Sequence, residues 1–313
     1  MARLLPVLAV SATGGLVLGS WWFSPYTLSV MVSVLMFVAL TSAWSIFSGH
    51  TRYLSFATVA FFGMGSYTTA VLGNRLPLPV VILLGGAIAS VVALLSGLVV
   101  LRLKGPYFAV FTFGMAELTL HSVLWWEINV TGTIGRILKP VPTTTIYYYL
   151  LGIAAATVSL AFLLSRSRVG LALTSIGEDE GKAETLGINA TYYKIVAFAL
   201  SASIMGMVGA AIAPRWTYLD PHIAFNPLIS FQVIIMALIG GARRVEGPVL
   251  GALLLSVVSE FLLVEFRYIY LIMLGSLVIA AVLFMPGGLS GELEKLARRW
   301  SRPHSRKNYG GAR

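Results

Sequence analysis

The sequence predicts an all-α integral membrane protein, a polytopic helical bundle of about ten transmembrane segments. Three observations carry this expectation. The chain is 58% hydrophobic and only 11% charged over 313 residues, far from the averages of soluble proteins. Its apolar residues fall in runs of roughly 20, the length that crosses a bilayer at a helical rise of about 1.5 Å per residue. The basic residues are divided unequally between the two sides that those runs define.

Ten runs fit this description in order. Leu4–Phe23 and Thr27–Ser48 are separated by Ser24-Pro25. Tyr53–Gly73 and Leu78–Leu101 follow, then Pro106–Trp126, which Glu117 and His121 interrupt. Thr145–Leu164 precedes a long polar segment. Beyond it come Tyr192–Ala213, Pro227–Ala242, Gly247–Val264 and Tyr268–Met285. No charged residue occurs from Leu4 to Thr51 and no small-residue cleavage site closes a short apolar core, so the first run reads as a retained span rather than a signal peptide. The eighth run is short, carries Gln232 and ends in Gly240-Gly241, which suits a re-entrant or broken helix as well as a full span.

An even number of spans leaves both termini on one side. With the termini inside, Arg75, Arg136, Lys139, Arg215 and Arg267 are the outer basic residues, and the other 17 of the 22 lie inside. This imbalance predicts cytoplasmic termini in a plasma-membrane protein. Residues 1–286 then form the transmembrane domain and 287–313 a basic cytoplasmic tail with a short helix at about Gly291 to Trp300. The net charge of +10 belongs to membrane orientation and does not call for nucleic acid. With no cysteine in the chain, disulfides, thiol catalysis and thiolate metal sites are excluded.

The polar segment Ser165–Lys194 must sit in water between two spans, on the inner side of this topology. Ser175 and Glu178 fit a capping box. Glu178, Asp179 and Glu180 crowd a first turn, where the helix dipole favours negative charge, and Gly187 is placed as a C-terminal stop. The spacing predicts one short helix from about Ile176 to Leu186, presented to a partner or simply solvated.

Ionisable residues inside spans are the other candidates. Glu117 and His121 are four apart and share a helix face; Glu260 lies in the ninth run near Ser256 and Ser259. A charge at mid-membrane costs about 2.5–3.5 kcal/mol on insertion scales, so such residues face the bundle interior or a water-filled path. A translocation path and a structural lock between helices both fit. No zinc-protease, nucleophile-elbow, Walker A or dinucleotide-binding motif occurs. The chain therefore offers no catalytic residue, metal site or cofactor site of its own, and any ATP hydrolysis belongs to another chain.

Several spaced blocks resemble the permease subunits of branched-chain amino acid ABC transporters, the LivM type, from about Phe47 to Gly291. In the polar segment these are Arg168-Val169-Gly170, Gly177-Glu178-Asp179-Glu180, Ala183-Glu184-Thr185-Leu186-Gly187-Ile188-Asn189 and Tyr193-Lys194. Elsewhere they are Leu101 to Ala109, Ala116-Glu117, Ile239-Gly240-Gly241 with Gly247-Pro248-Val249-Leu250-Gly251-Ala252, and Pro286-Gly287-Gly288-Leu289. The chain departs from the family at Arg52–Thr58, where only Ser55 fits the usual Gly-Gln-x-Ser-x-Gly-His run. It departs again at Thr131–Gly135, a reduced Gly-rich motif, and at Arg243, where a small residue is usual.

The resemblance implies an importer of branched-chain or related hydrophobic amino acids. Two permease subunits would form its path, two cytoplasmic ATP-binding subunits would drive it, and an extracytoplasmic protein would deliver substrate. It makes the inner helix the ATPase-coupling helix, with Gly177, Glu178, Asp179, Glu180, Ala183, Glu184, Leu186 and Gly187 as its residues. Glu117, His121 and Glu260 are the path candidates. The same machinery with another small polar cargo (urea, an amide, a sugar or a nucleoside) stays open. So do an ion-coupled transporter using Glu117 and His121 and a receptor that moves nothing.

Overall fold

A computed structural model describes residues 24–266 together with 269, 272, 275 and 276. The first predicted segment, all of the tenth but those four residues, the closing Pro286–Leu289 motif and the basic tail lie outside the described residues.

Helix α1, Pro25–Trp44, starts where the side chain of Ser24 accepts from Thr27 N and Pro25 occupies the first turn, a favoured N-terminal pattern. It runs on through a π-helical turn, Ser45–Gly49. A non-helical stretch, Arg52–Ala57, then precedes α2, Thr58–Leu72. Next come α3, Leu78–Val100, and α4, Pro106–Trp126, which ends in a second π-turn at Glu127–Thr131. Strand β1, Arg136–Ile137, leads into α5, Thr143–Ser165. The polar segment holds α6, Arg168–Glu178, and α7, Glu180–Thr185. Beyond it are α8, Ala190–Ile212, strand β2, Tyr218–Leu219, and the single turn α9, Pro221–Ala224. A hairpin of α10, Pro227–Gly240, and α11, Glu246–Glu265, completes the described chain.

The core is built around α1 and α8. In each, 72% of the most apolar stretch is buried, against 33%, 28% and 39% for α3, α4 and α5. Helix α8 lies against α3, α2 and α1, while α5 and the α10–α11 hairpin flank α1. Small residues permit this closeness: a Cβ on Gly206 would strike the Gly85 carbonyl of α3, and one on Gly209 would strike the Phe62 carbonyl of α2. Hydroxyls then join the backbones. Ser66 donates to Gly209 O at 3.1 Å, Thr69 to Ala210 O at 2.9 Å and Ser201 to Ala43 O at 2.7 Å. Interhelical bonds of this kind within a membrane average about 0.6 kcal/mol each.

Six helical stretches among the described residues are long and apolar enough to cross a membrane, so the described residues bear out an all-α polytopic bundle and not the count of ten. The third predicted segment, Tyr53–Gly73, is corrected. Only Thr58–Leu72 is helical, 15 residues or about 22 Å of rise, short of a hydrocarbon core of about 30 Å. A break thus lies before α2, in a segment read as a continuous span. The eighth predicted segment is itself short, 14 helical residues after the turn of α9.

The polar segment also differs from expectation. The single helix from Ile176 to Leu186 is two helices, broken at Asp179, whose backbone is extended at φ −158° and ψ 105°. Ser175 is interior to α6 and donates to Leu171 O at 3.0 Å, so no capping box forms with Glu178. The caps are Ser167, accepting from Gly170 N at 3.2 Å, and Asp179, accepting from Lys182 N at 3.1 Å. Two further capping residues were present in the sequence, and burial of Leu173 and Ile176 on one face of α6 selected them. Gly187 does end α7: at φ +83° its N–H donates to Glu184 O, while Ile188 N donates to Ala183 O, the Schellman pattern.

Candidate functional site

The candidate coupling residues lie on and just beyond α6 and α7, at one end of the bundle. A cleft of about 480 Å³ opens there, lined by Arg52, Tyr53, Pro106, Ile176, Glu178 and Glu180 among others. A smaller one of about 210 Å³ shares Arg52 and Tyr53 and reaches Trp44, Ser48 and Arg243. Helix α6 comes close because Gly177 has no side chain; a Cβ there would strike the His50 carbonyl.

Glu180, the first residue of α7, is fixed at both oxygens. Oε1 accepts from Lys194 Nζ at 2.7 Å and Oε2 from the Tyr53 hydroxyl at 2.7 Å. Burial works against ionisation of Glu180, but those two hydrogen bonds and the Lys194 charge outweigh it and hold the carboxyl below its ordinary range. Burial, with the same carboxylate beside it, pushes the Tyr53 hydroxyl well up. Asp179, held by the Lys182 N–H and side chain, is also lowered. Glu178 is exposed and 3.7 Å from Arg52. Arg52 sits at φ +61°, a left-handed backbone that β-carbon-bearing residues seldom adopt.

The coupling candidates therefore divide by position. Gly177, Glu180 and Ala183 face the bundle, with Ala183 buried against Ile176 and Ala190. Glu184, Leu186 and Gly187 are exposed; Leu186 shows 78% of its surface. Sequence reasoning missed the partnership of Tyr53 and Lys194. A signal existed: Lys194 stands near the start of an apolar span, and a buried lysine needs a counter-charge, which the acidic run 178–180 could supply.

The path candidates are not all brought together. His121 Nε2 and Glu117 Oε2 are 4.0 Å apart on α4, with the His121 side chain 72% and the Glu117 side chain 39% exposed, so the pair faces outward from this protomer. Glu260 is on α11, partly buried; among the described residues no ion pair joins it to either. The opposite end carries a pair that the sequence did not announce. Glu127, fully buried, accepts from Gly135 N at 2.7 Å and lies 3.6 Å from Arg136, whose guanidinium covers Trp126 at 5.1 Å. Arg136 and Ile137 pair antiparallel with Leu219 and Tyr218, which fastens this loop to the one before α9.

Comparison with known proteins agrees with this architecture. The chain is 26% identical over 298 residues to the high-affinity branched-chain amino acid transport system permease protein LivM of Salmonella typhimurium and to that of Escherichia coli, covering 84% of this chain and 69% of each relative. It is 23% identical over 289 residues to the fructose import permease protein FrcC of Rhizobium meliloti, covering 86% of this chain and 80% of that one. No solved structure matches. Residues 25–284 match the family described as branched-chain amino acid transport system / permease component, and this chain, with its membrane-length helices, belongs to that family.

Proposed function

We propose that this chain is the membrane-spanning permease subunit of an ABC importer for branched-chain or related hydrophobic amino acids in the plasma membrane. A second permease subunit completes the path, two cytoplasmic ATP-binding subunits supply the energy and an extracytoplasmic binding protein delivers the substrate. Both termini, α6 and α7 are cytoplasmic, in keeping with the distribution of basic residues. The observation that carries the reading is the pair α6–α7. Its base is anchored in the bundle through Glu180 and Ala183, and its far side, with Glu184 and Leu186, is bare. Anchored on one face and bare on the other, the pair can pass a partner's displacement into the bundle.

In this reading Glu117 and His121 line the path. They face outward from the protomer, so a second permease subunit must cover them, and the path runs between subunits. The identity to a fructose permease over most of its length favours a sugar as the second cargo. Uptake of labelled leucine and of labelled fructose into proteoliposomes containing the assembled transporter separates the two. Leucine uptake that requires ATP and the binding protein is expected. Fructose uptake without leucine uptake reverses the cargo, and uptake driven by a pH gradient without ATP removes the ABC reading.

A further inference from the structure

Glu180, Lys194 and Tyr53 stand on three separate parts of the chain. Glu180 opens α7, Lys194 lies in the first turns of α8, and Tyr53 is the second residue of the non-helical stretch before α2. Each is fixed beyond the carboxylate they share. Lys194, only 2% exposed, also donates to Leu101 O at the C-terminus of α3 at 3.2 Å, and its ammonium is 5.0 Å from the centre of the Tyr53 ring. The Tyr53 ring meets Phe108 of α4 edge-on at 5.1 Å and Phe47 at 6.4 Å.

We infer that Glu180, Lys194 and Tyr53 are positioning residues that form a rigid link carrying a displacement of α7 into the break before α2. This rests on α6–α7 being the surface that the ATPase moves. Helix α7 is six residues long, too short to hold itself together in water; Asp179 is its one-residue connection to α6, and Ala183 packs on Ile176. A load on Glu184 and Leu186 would turn α7 in place unless its base were fixed.

The fixing is directional. An apolar contact stabilises about as well as a buried ion pair, but it can slide, whereas a carboxylate held at both oxygens cannot move without taking its two donors along.

From Tyr53 the route continues through consecutive residues. Trp44 Nε1 donates to Ser55 O at 2.9 Å, and Phe56 N donates to Thr112 Oγ1 at 3.1 Å. Ser230 of α10 bonds Phe56 O and Val59 N, both at 2.9 Å. Movement of Tyr53 therefore reaches α1, α4 and α10 together, as well as α2. Lys194 adds the end of α3 and the foot of α8. Those helices hold the core and, on α4, the Glu117–His121 pair.

The test is to reconstitute the whole transporter, with its ATPase subunits, second permease and binding protein, and to measure ATP hydrolysis and leucine uptake in the same vesicles. Tyr53→Phe removes one hydroxyl and keeps the ring against Phe108. We expect assembly and ATP hydrolysis to stay near wild type while uptake per ATP falls about tenfold or more, the lower end of the loss for one hydrogen bond to a charged group. Glu180→Gln carries the same test should Tyr53→Phe not reach the membrane, and Lys194→Arg, which keeps the charge, should retain more coupling than Lys194→Gln. An unchanged ratio of uptake to hydrolysis in Tyr53→Phe overturns the inference. Loss of ATPase binding in that variant overturns it too, because the contact would then serve docking. Failure of the wild-type chain to bind the ATPase is a different result, and it removes the coupling reading itself.

Discussion

One hydroxyl, that of Ser230, ties the end of the break to the first turn of α2: it accepts from Val59 N at 2.9 Å and donates to the Phe56 carbonyl at 2.9 Å. Ser230 and Val59 are each 1% exposed. Backbone groups at membrane depth must be paired within the protein, and here a side chain of α10 does what the next helical turn would otherwise do. Ser230→Ala should therefore lower stability by about 1–3 kcal/mol, the penalty for buried groups left without partners. Ser96→Ala is the control, since Ser96 bonds only carbonyls of its own helix. Thermal unfolding in detergent should separate the two; equal melting temperatures would show that the break is held by other means.

At the opposite end, Arg136 offsets the charge of Glu127 in a site with no exposure of the carboxylate. Arg136→Gln should destabilise by about 3–5 kcal/mol, as removal of one member of a buried ion pair does. Glu127→Gln should be milder, because an acceptor for Gly135 N remains. A melting temperature for Arg136→Gln equal to wild type would mean that Glu127 does not need its partner.

The depressed pKa of Glu180 makes a pH prediction. Its carboxyl is held below the ordinary value of 4.5, so the folded state favours the ionised form. The stabilisation is complete above the ordinary value and is lost as pH falls through the lowered folded value. Melting temperature should decline on acidification below about pH 4.5 more steeply for wild type than for Glu180→Gln. Parallel profiles would contradict the assignment.

Of the path candidates, Glu117 gives the cleanest variant, because its exposed side chain carries little of the fold. Glu117→Gln should leave the amount of protein in the membrane unchanged and lower uptake. Normal uptake by a well-expressed Glu117→Leu variant would show a dispensable group.

Topology can be read with reporters fused at Arg313 and inside Glu127–Thr144. The two should report opposite sides, with Arg313 cytoplasmic; a shared side would remove the assigned orientation.

Most of the membrane helices were legible because each repeats one physical demand, an apolar run of spanning length. Their ends were marked by Pro25, Pro106 and Pro227, and Gly187 was readable as a stop because only a glycine fits its positive φ easily. The break before α2 was hidden. Tyr53–Gly73 carries no charged residue, and the backbone of its first residues is instead held by bonds from Trp44, Thr112 and Ser230, remote in sequence. The split at Asp179 was hidden by competition. Ser167, Ser175 and Asp179 all suit a helix start, and only the burial of one face of α6 chooses among them. The polar segment was recognisable as a site from its acidic run, but its anchorage depended on Lys194 and Tyr53, which lie 14 and 127 residues from Glu180.

The central claim is that α7 is the contact through which an ATPase drives this permease. The chain has no cysteine, so one placed at Glu184 or Leu186 is the only thiol it carries. In the assembled transporter, Glu184→Cys and Leu186→Cys should cross-link to a cysteine on the ATPase surface, and Ala183→Cys, buried at 1% exposure, should not. Absence of cross-linking at every position from Gly177 to Leu186, in a complex that still hydrolyses ATP and imports substrate, would contradict the account.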